Sequence, residues 1–354
     1  MTAMQESAPR PAPRRSPLAT GRARLAIAAV SIVAAIVGVV LAFTLTGSKD
    51  TTADSVVATL RVPGMPNAIV AGSDALWVGL TYGPDQPRGK LVRLDLATGS
   101  VQKTVNIEGI PTASIRVGDS LWQSQSADGL DTEPGEFTEL DWNTGEILGR
   151  LTFDRPVFGL AGGDGSLWLV VGRTPATVVR VDPATRQVIG KPITVSQNRV
   201  IGLAFGEGAV WATAFEDGML VRVDPKSGRV DTVKVGDDPV GVVVADGLVW
   251  VANRGGGTVT RVDAKTMQIV GDPIDVGNLP TWIGAVAGSV WVANQADGTV
   301  IRIDEETGKK VGPPIRIAPP AENDAAAHAV SVAGGSLWVT SLTEQTVSRI
   351  DPSR

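Results

Sequence analysis

The chain has 354 residues, with 32 Lys and Arg against 37 Asp and Glu, a single His and no Cys. The absence of cysteine excludes disulfides, thiol catalysis, lipoprotein attachment and a cysteine metal site. The formal charge is −5, and residues 1–24 carry five Arg against Glu6, so the rest of the chain is strongly acidic and a poor match for nucleic acid or anionic lipid.

From the N-terminus, Pro9, Pro11, Pro13 and Pro17 alternate with Arg10, Arg14 and Arg15. Such a segment cannot bury enough surface to fold, and residues 1–24 are expected to be a disordered cytoplasmic tail. Residues 25–45 are then uncharged and apolar. In a helix they span roughly 30 Å, the thickness of one hydrocarbon core. A cleaved signal peptide is the rival reading, but its apolar stretch is usually about 7–15 residues and Thr51-Thr-Ala53 is a poor cleavage site. The segment therefore reads as an uncleaved transmembrane signal anchor, with the basic tail held in the cytoplasm and the remainder extracytoplasmic. Ala34, Gly38 and Ala42 follow a small-xxx-small spacing of the kind that pairs helices. Residues 46–54 form a linker.

Residues 55–354 are organised by a repeat. Trp77, Trp122, Trp168, Trp211, Trp250, Trp291 and Trp338 each sit on one short strand, and Asp95, Asp141, Asp182, Asp224, Asp263, Asp304 and Asp351 each close the next. Six of the Asp residues follow Arg-Leu, Arg-Val or Arg-Ile, and the exception is Glu139-Leu-Asp141. A turn such as Leu96-Ala-Thr-Gly99 follows, with a polar cap and a Gly for positive φ. Then come an alternating strand such as Val230–Val235, a Gly/Pro corner and an apolar strand such as Gly241–Ala245. Four strands per repeat and no helical period predict an all-β, seven-bladed β-propeller of four-stranded blades, whose Trp residues fill the contacts between sheets. The seventh repeat ends without its outer strand, whereas Val56–Val62 alternates like one. The N-terminal strand is expected to complete the last blade and close the ring.

Differences among the repeats suggest where function lies. From Trp to closing Asp the first repeat takes 18 residues and the second 19, against 13 or 14 elsewhere, and the step from Asp304 to Trp338 is the longest of its kind at 34. In a four-stranded meander these expansions, around Tyr82, around Asp128, Asp131 and Glu133, and before His328, open on one face. Loops on a rigid scaffold carry binding more often than the scaffold does. At the start of each innermost strand stand Ala68, Ala113, Gly159, Gly202, Gly241 and Ala329, but Trp282 in the sixth repeat. One step earlier come Asn67, Thr112, Phe158, Ile201, Val240, Thr281 and His328, which puts the histidine at the mouth of the central channel. Trp282 either plugs that channel or offers a stacking surface. Asp128, Asp131, Glu133 and Glu136 carry oxygens suited to Ca²⁺, in no spacing of a known calcium loop. Asn253 and Asn294 follow their Trp strands at equivalent places and read as turn caps.

The runs Val249-Trp-Val-Ala-Asn253 and Val290-Trp-Val-Ala-Asn294, the Gly-Thr-Val that follows each, Arg-Val-Asp and Asp-x-x-Thr-Gly resemble the YVTN and streptogramin-lyase-like (virginiamycin B lyase-like) group of seven-bladed propellers. More distantly they resemble NHL and quinoprotein-type repeats. The resemblance covers about residues 55–354 and implies the fold. Its streptogramin-lyase branch implies Mg²⁺-assisted elimination by histidines with a glutamate, whereas this chain has His328 alone and no acid-x-His step after a Trp strand. No Gly-rich phosphate loop, Gly-x-Ser-x-Gly or metal-spaced His pair appears, so no catalytic residue or metal ligand is assigned. The leading expectation is a membrane-anchored extracytoplasmic propeller that acts as a non-catalytic ligand- or protein-binding scaffold. Its candidate binding residues are Trp282, His328, Asn67, Thr112, Tyr82, Asp128, Asp131 and Glu133. The alternative is a metal-dependent lyase or lactone hydrolase with Mg²⁺ or Ca²⁺ at the channel mouth, and a third reading is a sensor coupled to the cytoplasmic tail through a partner.

Overall fold

The protein's structure, a computed structural model, describes residues 55–82, 86–126, 135–321 and 326–354. The proposed tail, apolar segment and linker lie outside the described residues, as do Asp128, Asp131 and Glu133. Among the described residues no helix is long and apolar enough to cross a membrane.

The strands form seven four-stranded antiparallel sheets. Blade 1 is Met65–Ala71, Ala75–Tyr82, Gln86–Asp95 and Val101–Glu108. Blades 2 to 6 follow as 110–152, 157–196, 200–234, 239–275 and 280–316. Blade 7 takes three strands from the C-terminus, Val330–Ala333, Ser336–Ser341 and Thr346–Ile350, and its fourth is Val56–Arg61. That strand runs antiparallel to Thr346–Ile350, with Leu60 opposite Val347 and Thr59 opposite Ser348. The ring is closed as the alternation of Val56–Val62 predicts.

Alternation explains the packing between sheets. Trp77 points into the next blade, where it clusters with Leu121, Leu140 and Trp142, while Val78 and Leu80 point back into a cluster with Trp338 of blade 7. All seven repeat tryptophans are at most 1 % exposed, which makes each a core residue. The Arg of Arg-x-Asp stands directly across from the Trp and lays its guanidinium over the indole. The separations are 5.2–5.8 Å at Arg180–Trp168, Arg222–Trp211, Arg261–Trp250, Arg302–Trp291 and Arg349–Trp338.

The closing aspartates cap the turn between third and fourth strands. Asp263 Oδ1 accepts from Lys265 N at 3.0 Å, Thr266 N at 2.8 Å and Thr266 Oγ1 at 2.9 Å, and Asp95 and Asp141 make the same three bonds. These bonds favour the ionised form, so all seven carboxyls are held below the ordinary aspartate value. An acid with a depressed folded pKa contributes stability that is present above the unfolded value and lost as pH falls through the folded one. Thermal stability is therefore expected to drop as pH falls below 3.8, the ordinary aspartate value. Replacing Asp95, Asp263 and Asp304 together by Asn, which keeps an acceptor oxygen, is expected to flatten that drop in a series of melts from pH 5 to pH 2.5.

Candidate functional site

Antiparallel strands put the loop after the second strand and the connection after the fourth on one face, so the described residues that flank the three expansions lie on that face. At blades 4 and 6 side chains on this face tie hairpin to connection. Asp217 accepts from Ser196 Oγ and Asn198 Nδ2, both at 2.6 Å, and Asp297 accepts from Asn278 N at 2.8 Å and Nδ2 at 2.7 Å. Asn253 Nδ2 reaches Thr258 Oγ1 at 3.1 Å and Thr260 Oγ1 at 2.9 Å, and Asn294 Nδ2 reaches Val276 O at 2.7 Å. The two asparagines thus brace their hairpins, in keeping with a capping role. In blade 5 the place of Asp217 and Asp297 is taken by Gly256, and a cleft of about 280 Å³ opens there, lined by Arg254, Gly255–Gly257, Asp275 and Gly277–Leu279.

The innermost strands begin on a β-bulge in every blade. The pairing register skips between Pro66 and Ala68, Pro111 and Ala113, Val157 and Leu160, Val200 and Leu203, Pro239 and Val242, and Pro280 and Ile283. In blade 7, His328 N donates to Thr340 O while Thr340 N donates to Ala329 O, so two residues again face one. Hydroxyls satisfy the freed amides at three bulges: Ser124 Oγ for Ala113 N, Thr213 Oγ1 for Gly202 N and Thr340 Oγ1 for Ala329 N. Each small residue at this point lies against the next blade. A Cβ on Gly202 would fall 2.0 Å from Val240 O and one on Gly241 2.2 Å from Thr281 O. The small residues expected at these places thus answer to crowding between neighbouring inner strands.

Blade 6 breaks this rule with Trp282. Its indole is half-buried and packs against the core between blades 7 and 1, which holds Ile69, Leu76, Ala329 and Trp338. Next to it in the ring stands His328, half-buried, whose Nδ1 lies 3.1 Å from Gln295 Nε2. The amide donates, which fixes the ring proton on Nε2 and leaves that N–H as a donor. Loss of solvation lowers the imidazole pKa to about 4, so the ring is neutral at physiological pH. A base with a depressed folded pKa takes up protons more readily when unfolded. His328 should therefore cost stability as pH falls from 6.5, its ordinary value, toward 4, a range above that of the aspartate turns. The His328→Gln variant, which removes the titration, is expected to show a flatter melting temperature between pH 7 and pH 4.5.

Tyr82 ends the second strand of blade 1 and packs on the same core cluster as Trp282, with the Lys90 ammonium 4.7 Å from its ring centre. Burial raises its phenol pKa above the ordinary 10.0. Asn67 is half-buried on the bulge of blade 1. Trp282, His328, Tyr82 and Asn67 thus share the sector of blades 6, 7 and 1. Thr112 stands apart, tied to Ser124 Oγ at 2.8 Å. Gln295 was not singled out in the sequence, because its bond to His328 crosses from one blade to the next. Among the described residues no group of three or more His, Asp or Glu side chains is placed to hold a metal ion.

Comparisons with known proteins agree with this architecture. The model of a family described as a repeat of unknown function (DUF6923) matches residues 107–270. No curated protein sequence matches the chain. A catalytically inactive variant of virginiamycin B lyase from Staphylococcus aureus, with quinupristin, is similar over 83 % of this chain and 98 % of its own, with a TM-score of 0.65 and 15 % identity. A chain of the mitotic checkpoint complex is similar over 88 % of this chain and 98 % of its own, with a TM-score of 0.69 and 15 % identity. The Pan2 WD40 domain of Neurospora crassa is similar over 84 % of this chain and 94 % of its own, with a TM-score of 0.62 and 11 % identity. The likeness is one of fold. The chain is a seven-bladed β-propeller with streptogramin-lyase-like structural neighbours, and folds of this kind carry many functions.

Proposed function

We propose that this protein is a membrane-anchored, extracytoplasmic propeller that binds a small molecule or a protein partner on its loop-rich face, without catalysis. The observation that carries the reading is the break in the repeat pattern at blades 6 and 7. There a half-buried indole replaces a glycine or alanine and stands beside a neutral imidazole with a donor N–H. An aromatic surface beside a fixed polar group is the usual make-up of a recognition site. The anchor rests on the apolar run of residues 25–45 and the basic tail before it.

The test is capture from detergent-solubilised membranes by the full chain and by a Trp282→Ala, His328→Ala double variant. Both side chains are only partly buried, so the variant should still fold, checked by its melt, and lose its bound ligand or partner at least tenfold. Undiminished capture would sink this reading.

A further inference from the structure

Blade 5 departs from its neighbours on the loop-rich face. Asp217 in blade 4 and Asp297 in blade 6 tie their hairpins to the connection that enters the blade, and blade 5 has Gly256 in that place. Packing does not require this glycine. A Cβ on Gly256 would meet nothing nearer than Thr258 Oγ1 at 3.4 Å, an ordinary contact, and its φ is not positive. Gly257, by contrast, holds φ of 67°, as Gly218 and Gly298 hold 68° and 65° in their hairpins. With no side chain at 256, the hairpin leaves a cleft of about 280 Å³ against the connection into blade 6.

The cleft is polar and carries charge of both signs. Gly218 N closes its hairpin onto Phe215 O at 3.4 Å, and Gly298 N closes its own onto Asn294 O at 3.0 Å. Gly257 N makes no such bond, and among the described residues neither it nor Gly256 N has a hydrogen-bond partner. Two successive backbone amides of this kind at a turn make a concave receptor for an anion. Arg254 lines the cleft beside them, and a guanidinium has more donors than one partner uses. Asp275, also in the lining, is exposed and pairs with Thr258 on the neighbouring strand. Neighbouring strands stand about 4.8 Å apart, so the anion receptor and the carboxylate are one strand spacing from each other. That is the scale of the two charged groups of an α-amino acid.

Acids prevail just outside the lining. Asp238 stands behind Gly255, where a Cβ would lie 2.9 Å from its Oδ2. Asp297 is engaged by Asn278 and lies beside Arg316, whose Nη1 donates to the Asp297 carbonyl at 3.3 Å. A bare anion is repelled by such surroundings, and a bare cation leaves the two amides unused. A zwitterion has no net charge and satisfies both. Leu279, the one aliphatic residue that lines the cleft, holds φ of 52°, a conformation costly for its bulk and better suited to Asp238, which holds 51° at the same place in the preceding connection. We propose that this cleft binds a free α-amino acid with an apolar side chain. Its carboxylate rests on the Gly256 and Gly257 amides and Arg254, its ammonium on Asp275, and its side chain against Leu279. The site goes beyond the binding sector at Trp282 and His328 and does not depend on it.

The test titrates the full chain in detergent by calorimetry with L-leucine, L-alanine, N-acetyl-L-leucine and L-leucinamide. Leucine is expected to bind, alanine to bind more weakly, and each blocked form to lose at least tenfold because one charged end is gone. Gly256→Asp places in blade 5 the carboxylate found in blades 4 and 6, so it should melt like the parent and abolish binding. Asp275→Asn should weaken leucine at least tenfold and bring it close to its N-acetyl form. If Gly256→Asp fails to fold, Asp275→Asn decides. No binding of leucine or alanine, a blocked form that binds as well as leucine, or undiminished binding in a folded Gly256→Asp or in Asp275→Asn overturns the proposal.

Discussion

A chain that begins at Pro63 is expected to lose cooperative unfolding and to aggregate, whereas one that begins at Ser55 melts as a single domain. The strand Val56–Arg61 pairs along its length with Thr346–Ile350. Leu60, 6 % exposed, and Val62, 3 % exposed, sit in the cluster that holds Trp338 and Val347. Burying two such side chains and making the ladder contribute on the order of 10 kcal/mol together. That rivals the whole margin of a typical domain, roughly 5–15 kcal/mol. Deletion would also uncover Thr346–Ile350 as an open edge, which invites pairing with another chain. Calorimetry and size-exclusion chromatography of the two proteins decide the matter, and equal melting temperatures would contradict it.

Arg186→Gly is expected to destabilise the protein by about 2–4 kcal/mol, although it restores the residue found at this turn in four other repeats. Gly99, Gly145, Gly228 and Gly308 hold φ of 66–71° there, and Arg186 holds 60°, a conformation that costs a side-chain residue about 1 kcal/mol. The strain is kept because of Glu139, the one acid among the positions across from the tryptophans. Glu139 is 6 % exposed and accepts from Arg186 Nε at 2.7 Å and Ser120 Oγ at 2.6 Å. Removing the partner of a buried carboxylate costs about 3–5 kcal/mol, more than the relieved strain returns. The double change Glu139→Arg with Arg186→Gly rebuilds the arrangement of the other blades and should regain most of the loss. A double-mutant cycle by denaturant unfolding is expected to show coupling of at least about 2 kcal/mol, and additive effects would refute the pairing.

The repeat made the fold legible, because Trp, Arg-x-Asp and the capped turn each recur where a local rule requires them. Ring closure was legible for the same reason: one strand was missing at one end and an alternating strand stood free at the other. The bulges were not, since they depend on register between strands and their only local trace is Pro66, Pro111, Pro239 and Pro280. The bond between Gln295 and His328 and the pair of Glu139 with Arg186 join different blades, and no spacing rule reaches across that gap. Gln123 did carry a signal, a buried polar residue beside the tryptophan where the six other blades hold an aliphatic one. Of the candidate residues, Trp282, His328, Tyr82 and Asn67 share one sector, Thr112 is engaged in the scaffold, and Asp128, Asp131 and Glu133 lie beyond the described residues.

The chain contains no cysteine, so single cysteines report cleanly on where each face lies. The decisive measurement labels Thr343→Cys, exposed on the loop-rich face, and Arg14→Cys, in the basic tail, with a membrane-impermeant maleimide. A propeller held outside the bilayer with its loops displayed predicts labelling of Thr343→Cys in intact cells and of Arg14→Cys only after permeabilisation. Protection of Thr343→Cys until the cells are opened, or labelling of Arg14→Cys from outside, would contradict it.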